Sequence, residues 1–488
     1  MGVNLYPTAG NSPMNSTSVS SFLAIFILIA LSATNLYRAK TQSITCDEAY
    51  SYEVWGSQPL SRMFVAYDAS NHVLQTLLSK ISVAMFGVSE FTLRLPTLIA
   101  GFLYFIAIYR LSSLVFGQGS LFLLSVSVLS LNPLLLDLLS AARGYGLALA
   151  FCAWALFFMV KGPPQSPYQM LRLAILLALS VSSNVTFLFI DAGLAALFVG
   201  TLLTDSRAAF RSLTYFIIPG IVLTLIILGG PMRNTHSADF YFGLPSLARS
   251  TKSLVYISFV HRLTLPGIHY YYDALVRFVD FITAWFVPIT LCLSGVVLLA
   301  IKKASLIQPQ DRFLFFSAGA LLFSIGASYV AHMATGLLYP ILRTGLPWIV
   351  FFLLTCLGLV KKPALRWPML IFLLACSLWF AFELNANQYT EWSFDAGTKR
   401  IVTLLRNQHQ AEPDKNWQVG VSVMLLPSMN FYKSLYHLNW FQPIDIRTGT
   451  DGLTRFVLVD KDVQLVQTLT LHTNYVDPVS GQVVATRG

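Results

Sequence analysis

Asp47 and Glu48 stand side by side in "TCDEAYSY", a few residues past the first long apolar run of the chain. Acids are scarce here, with 22 Asp and Glu among 488 residues. An adjacent carboxylate pair can supply a general base for an attacking hydroxyl, and a second group that assists it or binds a metal. Between a membrane span and an interfacial segment the local dielectric is low and carboxylate pKa values move. Two solvated loop acids would give the same dipeptide. Arginines offer the complementary chemistry: Arg143 in "LSAARGYGLALAF" and Arg343 in "LYPILRTGLPW". A guanidinium fork can grip a phosphate through two hydrogen bonds. The plainer readings are a snorkelling side chain for Arg143 and a helix-end anchor for Arg343. Pro340 and Pro347 flank Arg343, and a helix broken at membrane depth normally lines a cavity. His72 could complete a metal site with Asp47 and Glu48, or serve only as a hydrogen-bonding group. Nothing around it has ligand spacing, so a divalent metal is allowed but not required. Asn71, Tyr145 and Tyr339 border these elements and are candidates for substrate contact. Asp191 lies inside an apolar run, where an acid is either functional or hydrogen-bonded to a neighbouring span.

The elements that must hold these residues are membrane helices. Hydrophobic residues make up 55% of the chain and charged residues 11%, against about 25% charged in a soluble domain. Mean hydropathy is +0.64. The net charge of +10 is explained by cations collected in cytoplasmic loops, without nucleic acid. Five cysteines, four of them in apolar runs, make no disulfide framework. A spanning helix needs about 20 apolar residues. Candidate spans are 21–37, 93–109, 119–136, 145–160, 170–183, 185–203, 213–229, 278–301, 313–331, 345–360 and 367–382, or about eleven.

With the N-terminus inside, every short inner loop carries a cation, among them Arg110, Lys161, Arg172, Arg211, Arg312, Lys361 and Lys362. Three long segments then lie outside: 38–92, 230–277 and everything after Glu383. The acidic pair is thereby extracytoplasmic. Residues 1–20 form a polar, disordered tail, and residues 21–383 form the membrane domain. "VLQTLLSKISVAMF" (73–86) predicts an amphipathic helix lying in the interface. Residues 395–488 lose the membrane composition. They predict a small soluble α/β domain, with helices near 396–409 and 429–438 and strands in "WQVGVSVM" and "RFVLVD".

"SITCDEAYSYEVWG", then "NHVLQTLLSKISVAMFGVSEFTLRLPTLIAG", then "LSAARGYGLALAF" resemble in order the polyprenol-phosphate-sugar-dependent membrane glycosyltransferases of the type C fold. The protein O-mannosyltransferases and the lipid A aminoarabinose transferase belong there. The likeness covers roughly the first 150 residues. It implies a polytopic α-helical fold of that type and an inverting transfer of sugar from a lipid phosphate. It also implies that the acidic residue of the first loop serves the acceptor. One departure stands out. Many members open the interfacial helix with His-Pro-Pro or Lys-Pro, where this chain has Asn71-His72-Val73. A lysine on the donor phosphate is therefore missing at that place.

The expectation is a glycosyltransferase of a bacterial inner or plasma membrane. It moves a hexosyl or pentosyl group from a polyprenyl-phosphate donor to a hydroxyl of a lipid, glycan or protein acceptor on the outer face. Asp47 is the base with Glu48 assisting, and Arg143 and Arg343 hold the phosphate. His72, Asn71, Tyr145 and Tyr339 contact substrate. No Gly-rich phosphate loop appears, which disfavours a nucleotide-sugar donor. A flippase for lipid-linked sugars is the first alternative, but it calls for paired broken helices and repeat symmetry, which the sequence lacks. A non-enzymatic envelope assembly protein is the second, and it needs no carboxylates in the first outer loop.

Overall fold

The structure, a computed structural model, describes residues 16–64, 68, 70–202, 210–211, 213–233, 235, 237–260, 269–301 and 306–487. The first helix, α1 (Ser16–Thr41), starts earlier than expected, because no Gly or Pro interrupts residues 16–20. The rest of the expected tail, residues 1–15, lies outside the described residues. Beyond α1 come α2 (Cys46–Ser51), α3 (Val73–Phe86) and α4 (Glu90–Phe116). The protein is an integral membrane protein: eight helices among the described residues are long and apolar enough to span a bilayer.

The eleven expected spans all contain helix, but not all of it is continuous. The run expected over 119–136 breaks at Leu131. Asn132 caps a new short helix there, accepting the Leu135 N–H at 3.1 Å, and Pro133 bars helical geometry in the residue before it. Ser120–Ser130 is left too short to cross alone. Tyr145–Lys161 is also short, because the chain approaches it through an irregular turn at 139–144.

Helix α3 packs with its polar side inward. Gln75 accepts from the Thr97 hydroxyl at 2.9 Å, and Ser79 donates to the Leu93 carbonyl at 2.9 Å. Ile81, Met85 and Phe86 point outward. An amphipathic helix whose apolar side faces away from the protein suits a bilayer surface.

The end of the bundle away from α2 holds the cations of the short loops. Arg312 donates to the Lys161 carbonyl at 3.1 Å, Lys362 pairs with Asp311 at 3.2 Å, and Lys361 lies over the Phe116 ring.

After the last span the chain builds a five-stranded sheet: β1 (Trp417–Val421), β2 (Phe441–Asp445), β3 (Arg455–Leu458), β4 (Leu471–Val476) and β5 (Val483–Arg487). The order is β2-β1-β3-β5-β4, with the first three strands parallel and the last two joined antiparallel. Helix Leu426–Leu435 makes the crossover from β1 to β2. Pro443 sits in β2, which is an edge strand, where its missing N–H costs least.

This α/β unit is docked on the bundle. Ile44, Ala49 and Leu93 share its core with Val402, Val419 and Met429. The Tyr432 hydroxyl donates to Glu90 and accepts the Ile44 N–H, each at 2.9 Å, and Lys399 pairs with Glu90 at 2.8 Å.

Candidate active site

Helix α2 begins with a reciprocal cap. Thr45 accepts the Glu48 N–H at 3.2 Å, and Glu48 accepts the Thr45 N–H at 3.0 Å. Two donors that a helix start leaves open are thereby satisfied. The cap points Glu48 inward, where Arg94 holds it from two nitrogens at 2.9 and 2.6 Å and the Ala142 N–H adds 2.7 Å. Burial pushes this carboxyl up, but Arg94 and the backbone donors outweigh it and leave it below the usual range. Glu48 and Arg94 are both buried. Arg94 also donates to the carbonyls of Ala39, Gln42 and Ser43, which clamps the end of α1 to α2.

Asp47 lies on another side of the same helical turn and is 26% exposed. Its Oδ2 meets Arg343 Nη2 at 2.8 Å and Arg143 Nη2 at 3.4 Å. Arg143 is fixed further by the Asp47 carbonyl at 3.2 Å and the Ser51 hydroxyl at 2.7 Å. Neither arginine snorkels into solvent: Arg143 is buried and the Arg343 side chain is 15% exposed. Burial pushes the Asp47 carboxyl up. Arg143, Arg343 and a hydrogen bond from Trp392 overcome that, so it lies below the ordinary carboxylate range.

Local backbone explains how each arginine arrives. Gly144 turns left-handed at φ +72°, and a Cβ there would lie 2.2 Å from the Ser183 carbonyl and 3.0 Å from His72. Only glycine permits the turn from Arg143 into the next helix. Arg343 sits in a single 3₁₀ turn, Leu342–Gly345, just before helix Leu346–Leu359. Leu342 before it is left-handed at φ +50°, a strained setting for a branched side chain.

The segment between the last span and the α/β unit completes the site, and no sequence reasoning singled it out. Glu391 accepts the Arg343 backbone N–H at 2.6 Å and also pairs with its Nη1. Trp392 and Phe242 flank the same guanidinium at 5.1 and 4.5 Å. Tyr389 lies between Arg38 and Arg94, at 4.8 and 5.2 Å. Arg38 pairs with Asp137, which also accepts the Thr390 N–H at 2.7 Å. Asp395 accepts the Cys46 N–H at 2.6 Å, next to Asp47. The signal for this segment was its alternation of aromatics and acids in "NQYTEWSFD", immediately after a span.

The remaining expected residues divide. His72 is buried, close to the Tyr145 ring at 5.7 Å, and its Nε2 makes no hydrogen bond among the described residues. Burial, then Arg143 and Arg343, hold its pKa well below the usual histidine value, so it is neutral. Tyr145 interacts with Asn184, which also reaches the Arg143 carbonyl at 3.4 Å. Asn71 donates to the Met63 carbonyl at 3.2 Å. Tyr339 pairs through its backbone with Leu244 and packs on His332 at 4.7 Å. Those contacts involve none of the Asp47 cluster. Asp191 is buried in its helix, near Ser180 and Cys152. Of the long segment 230–277, residues 234, 236 and 261–268 lie outside the described residues.

The two carboxylates do not converge on one point. Both Glu48 oxygens are taken by Arg94 and backbone donors, and Asp47 faces two cations. Among the described residues no group of three or more His, Cys, Asp or Glu could hold a metal ion. The capping geometry turns the Asp47 and Glu48 carboxylates apart.

An apolar cavity of about 120 Å³ adjoins the Arg343 turn. Leu254, Trp348, Phe352 and Phe372 are among its walls, and Leu254 packs directly on Gly345.

No protein-family model matches this chain, and no curated protein matches it. Its fold is similar to those of several solved membrane transferases. ArnT from Cupriavidus metallidurans bound to undecaprenyl phosphate is 14% identical over 94% of this chain and 97% of its own, with a TM-score of 0.40. The oligosaccharyltransferase AglB of Archaeoglobus fulgidus, in complex with an inhibitory peptide and a dolichol-phosphate, is 13% identical over 96% and 74%, at 0.42. The mycobacterial arabinofuranosyltransferase AftD is 12% identical over 94% and 41%, at 0.42. At these levels nothing of their substrates or partners carries over to this chain.

Proposed function

We propose that the protein transfers a sugar from a polyprenyl-phosphate donor to an acceptor hydroxyl at the membrane surface, with Asp47 as general base. One observation carries the reading: a partly exposed carboxylate held between two buried-side guanidiniums at one end of an apolar bundle. The arrangement has a use for each part. The acceptor oxygen attacks the anomeric carbon from the face opposite the phosphate, and Asp47 takes its proton. The bond from that carbon to the phosphate oxygen breaks, and the phosphate leaves with the electron pair, which gives inversion. Arg143 and Arg343 stabilise the charge that develops on the phosphate. The cavity beside Arg343 accepts part of the isoprenoid tail. Glu48 is a positioning residue in this scheme, because it holds α2 and hence Asp47 in place.

The two arginines also solve a timing problem. While they pair with Asp47 they keep it ionised but weakly basic. Drawing them toward a phosphate raises its basicity when donor is present. The far-end cations support a topology with the site extracytoplasmic. The sugar and the acceptor are open to assay with purified protein in nanodiscs and a panel of polyprenyl-phosphate sugars. Transfer or donor hydrolysis that depends on Asp47 supports the reading. No turnover with any lipid-phosphate sugar would overturn it.

A further inference from the structure

Arg343 offers two donors on one side, its backbone N–H and Nη1, and Glu391 takes both. That is how a phosphate oxygen pair would be held, by a guanidinium together with a backbone N–H at a helix start. The Glu391 side chain is 4% exposed, so the carboxylate is seated, not passing. The local charges balance as they stand: Asp47 and Glu391 against Arg143 and Arg343. A lipid phosphate adds at least one negative charge. In a site shielded from water that excess is costly unless an anion leaves. Asp47 is the less able to leave, since it is carried by a capped helix clamped through Arg94. Glu391 lies in one short turn whose backbone is already non-helical at Trp392. Burial also pushes its carboxyl up against the pull of Arg343, so its charge is poorly accommodated.

We propose that Glu391 occupies the seat of the donor phosphate in the empty enzyme, and that arrival of the lipid phosphate displaces it. The idea rests on the lipid-phosphate reading above and adds its regulation. The displacement has a route outward. Residues 389–395 contact Arg38, Arg94, Asp137, Asp47 and the Cys46 N–H, and then enter helix Thr398–His409 of the α/β unit. Donor occupancy is thereby passed to the unit that flanks α2.

The test uses the full chain in nanodiscs with sugar-free polyprenyl phosphate as probe. Glu391→Gln keeps the shape and removes the competing charge. It is expected to bind the probe about tenfold more tightly than wild type. A residue that merely orients Arg343 gives the opposite sign, because losing it weakens the grip. Hydrogen exchange across 388–394 in the wild type is expected to speed up when probe binds, and this arm needs no variant to fold. Unchanged or weaker binding by a normally melting Glu391→Gln protein, or unchanged exchange at saturating probe, overturns the proposal and leaves the functional reading standing. Wild type that binds no probe, or binds it as well as Arg343→Ala does, overturns both.

Discussion

At the scale of single residues, Asp47 and Glu48 are neighbours with different surroundings, one partly exposed between two arginines and one buried against Arg94. Asp47→Asn keeps volume and removes basicity, so turnover is expected to fall roughly 10²–10⁴-fold. Donor affinity should change much less, and single-turnover assays separate the two. Normal turnover in this variant would remove Asp47 from the chemistry. Its depressed pKa also fixes a pH effect: the carboxylate is present at neutral pH and is lost only as pH falls through a value below the ordinary carboxylate range. The acid limb of kcat/KM, which reports the free enzyme, should therefore lie lower than for an unpaired aspartate. For the arginines, lysine keeps the charge but not the planar fork. Arg143→Lys and Arg343→Lys should each lose activity, read as turnover and donor affinity after thermal unfolding has confirmed the fold. A surface anchor would tolerate lysine. The acidic pair and both arginines were legible in the sequence because they stand next to span ends. The division of labour between Asp47 and Glu48 was not, since it depends on Arg94, which reads on paper as an ordinary helix-end cation.

At the scale of elements, the short helix α2 is held by its cap and by one buried ion pair. Removing one partner strands a buried charge, which costs about 3–5 kcal/mol. Arg94→Met should therefore lower the melting temperature in detergent sharply, and more than Asp47→Asn, whose carboxylate is partly exposed. Equal melting for both would contradict the structural role of the Glu48–Arg94 pair. Asp395 supplies a second handle. Burial raises its carboxyl to about 7, against the donors Ser428, Cys46 and Thr398. A group whose pKa is raised on folding favours the fold below its unfolded value, and that contribution fades as pH rises through the folded one. Stability should thus decline between about pH 4 and 7, and Asp395→Asn should flatten that part of a melting-temperature profile. The helices and the strands β1 and β3 were visible as apolar runs. Strand β2 was hidden by Pro443, which is tolerated only because the strand is at an edge, and β4 is largely exposed and so lacks a core pattern. The linker's aromatics and acids show no role when read alone, because their partners are distant in sequence.

At the scale of the whole molecule, the bundle has one chemically furnished end and one basic end. Reporter fusions after Ala364 and Asp395 should report cytoplasmic and extracytoplasmic sides respectively. The same side for both would sink the topology. The furnished end is also assembled late. Asp47 and Arg343 are separated by 296 positions, and Glu391 and Trp392 come later still. At common synthesis rates, Asp47 waits about 15–60 s for its second arginine. Throughout that interval the emerging chain carries Asp47 without the second arginine of the proposed phosphate clamp. On the proposed reading, a chain that stops before Arg343 lacks half of the phosphate clamp and is expected to be inert toward lipid-linked sugar.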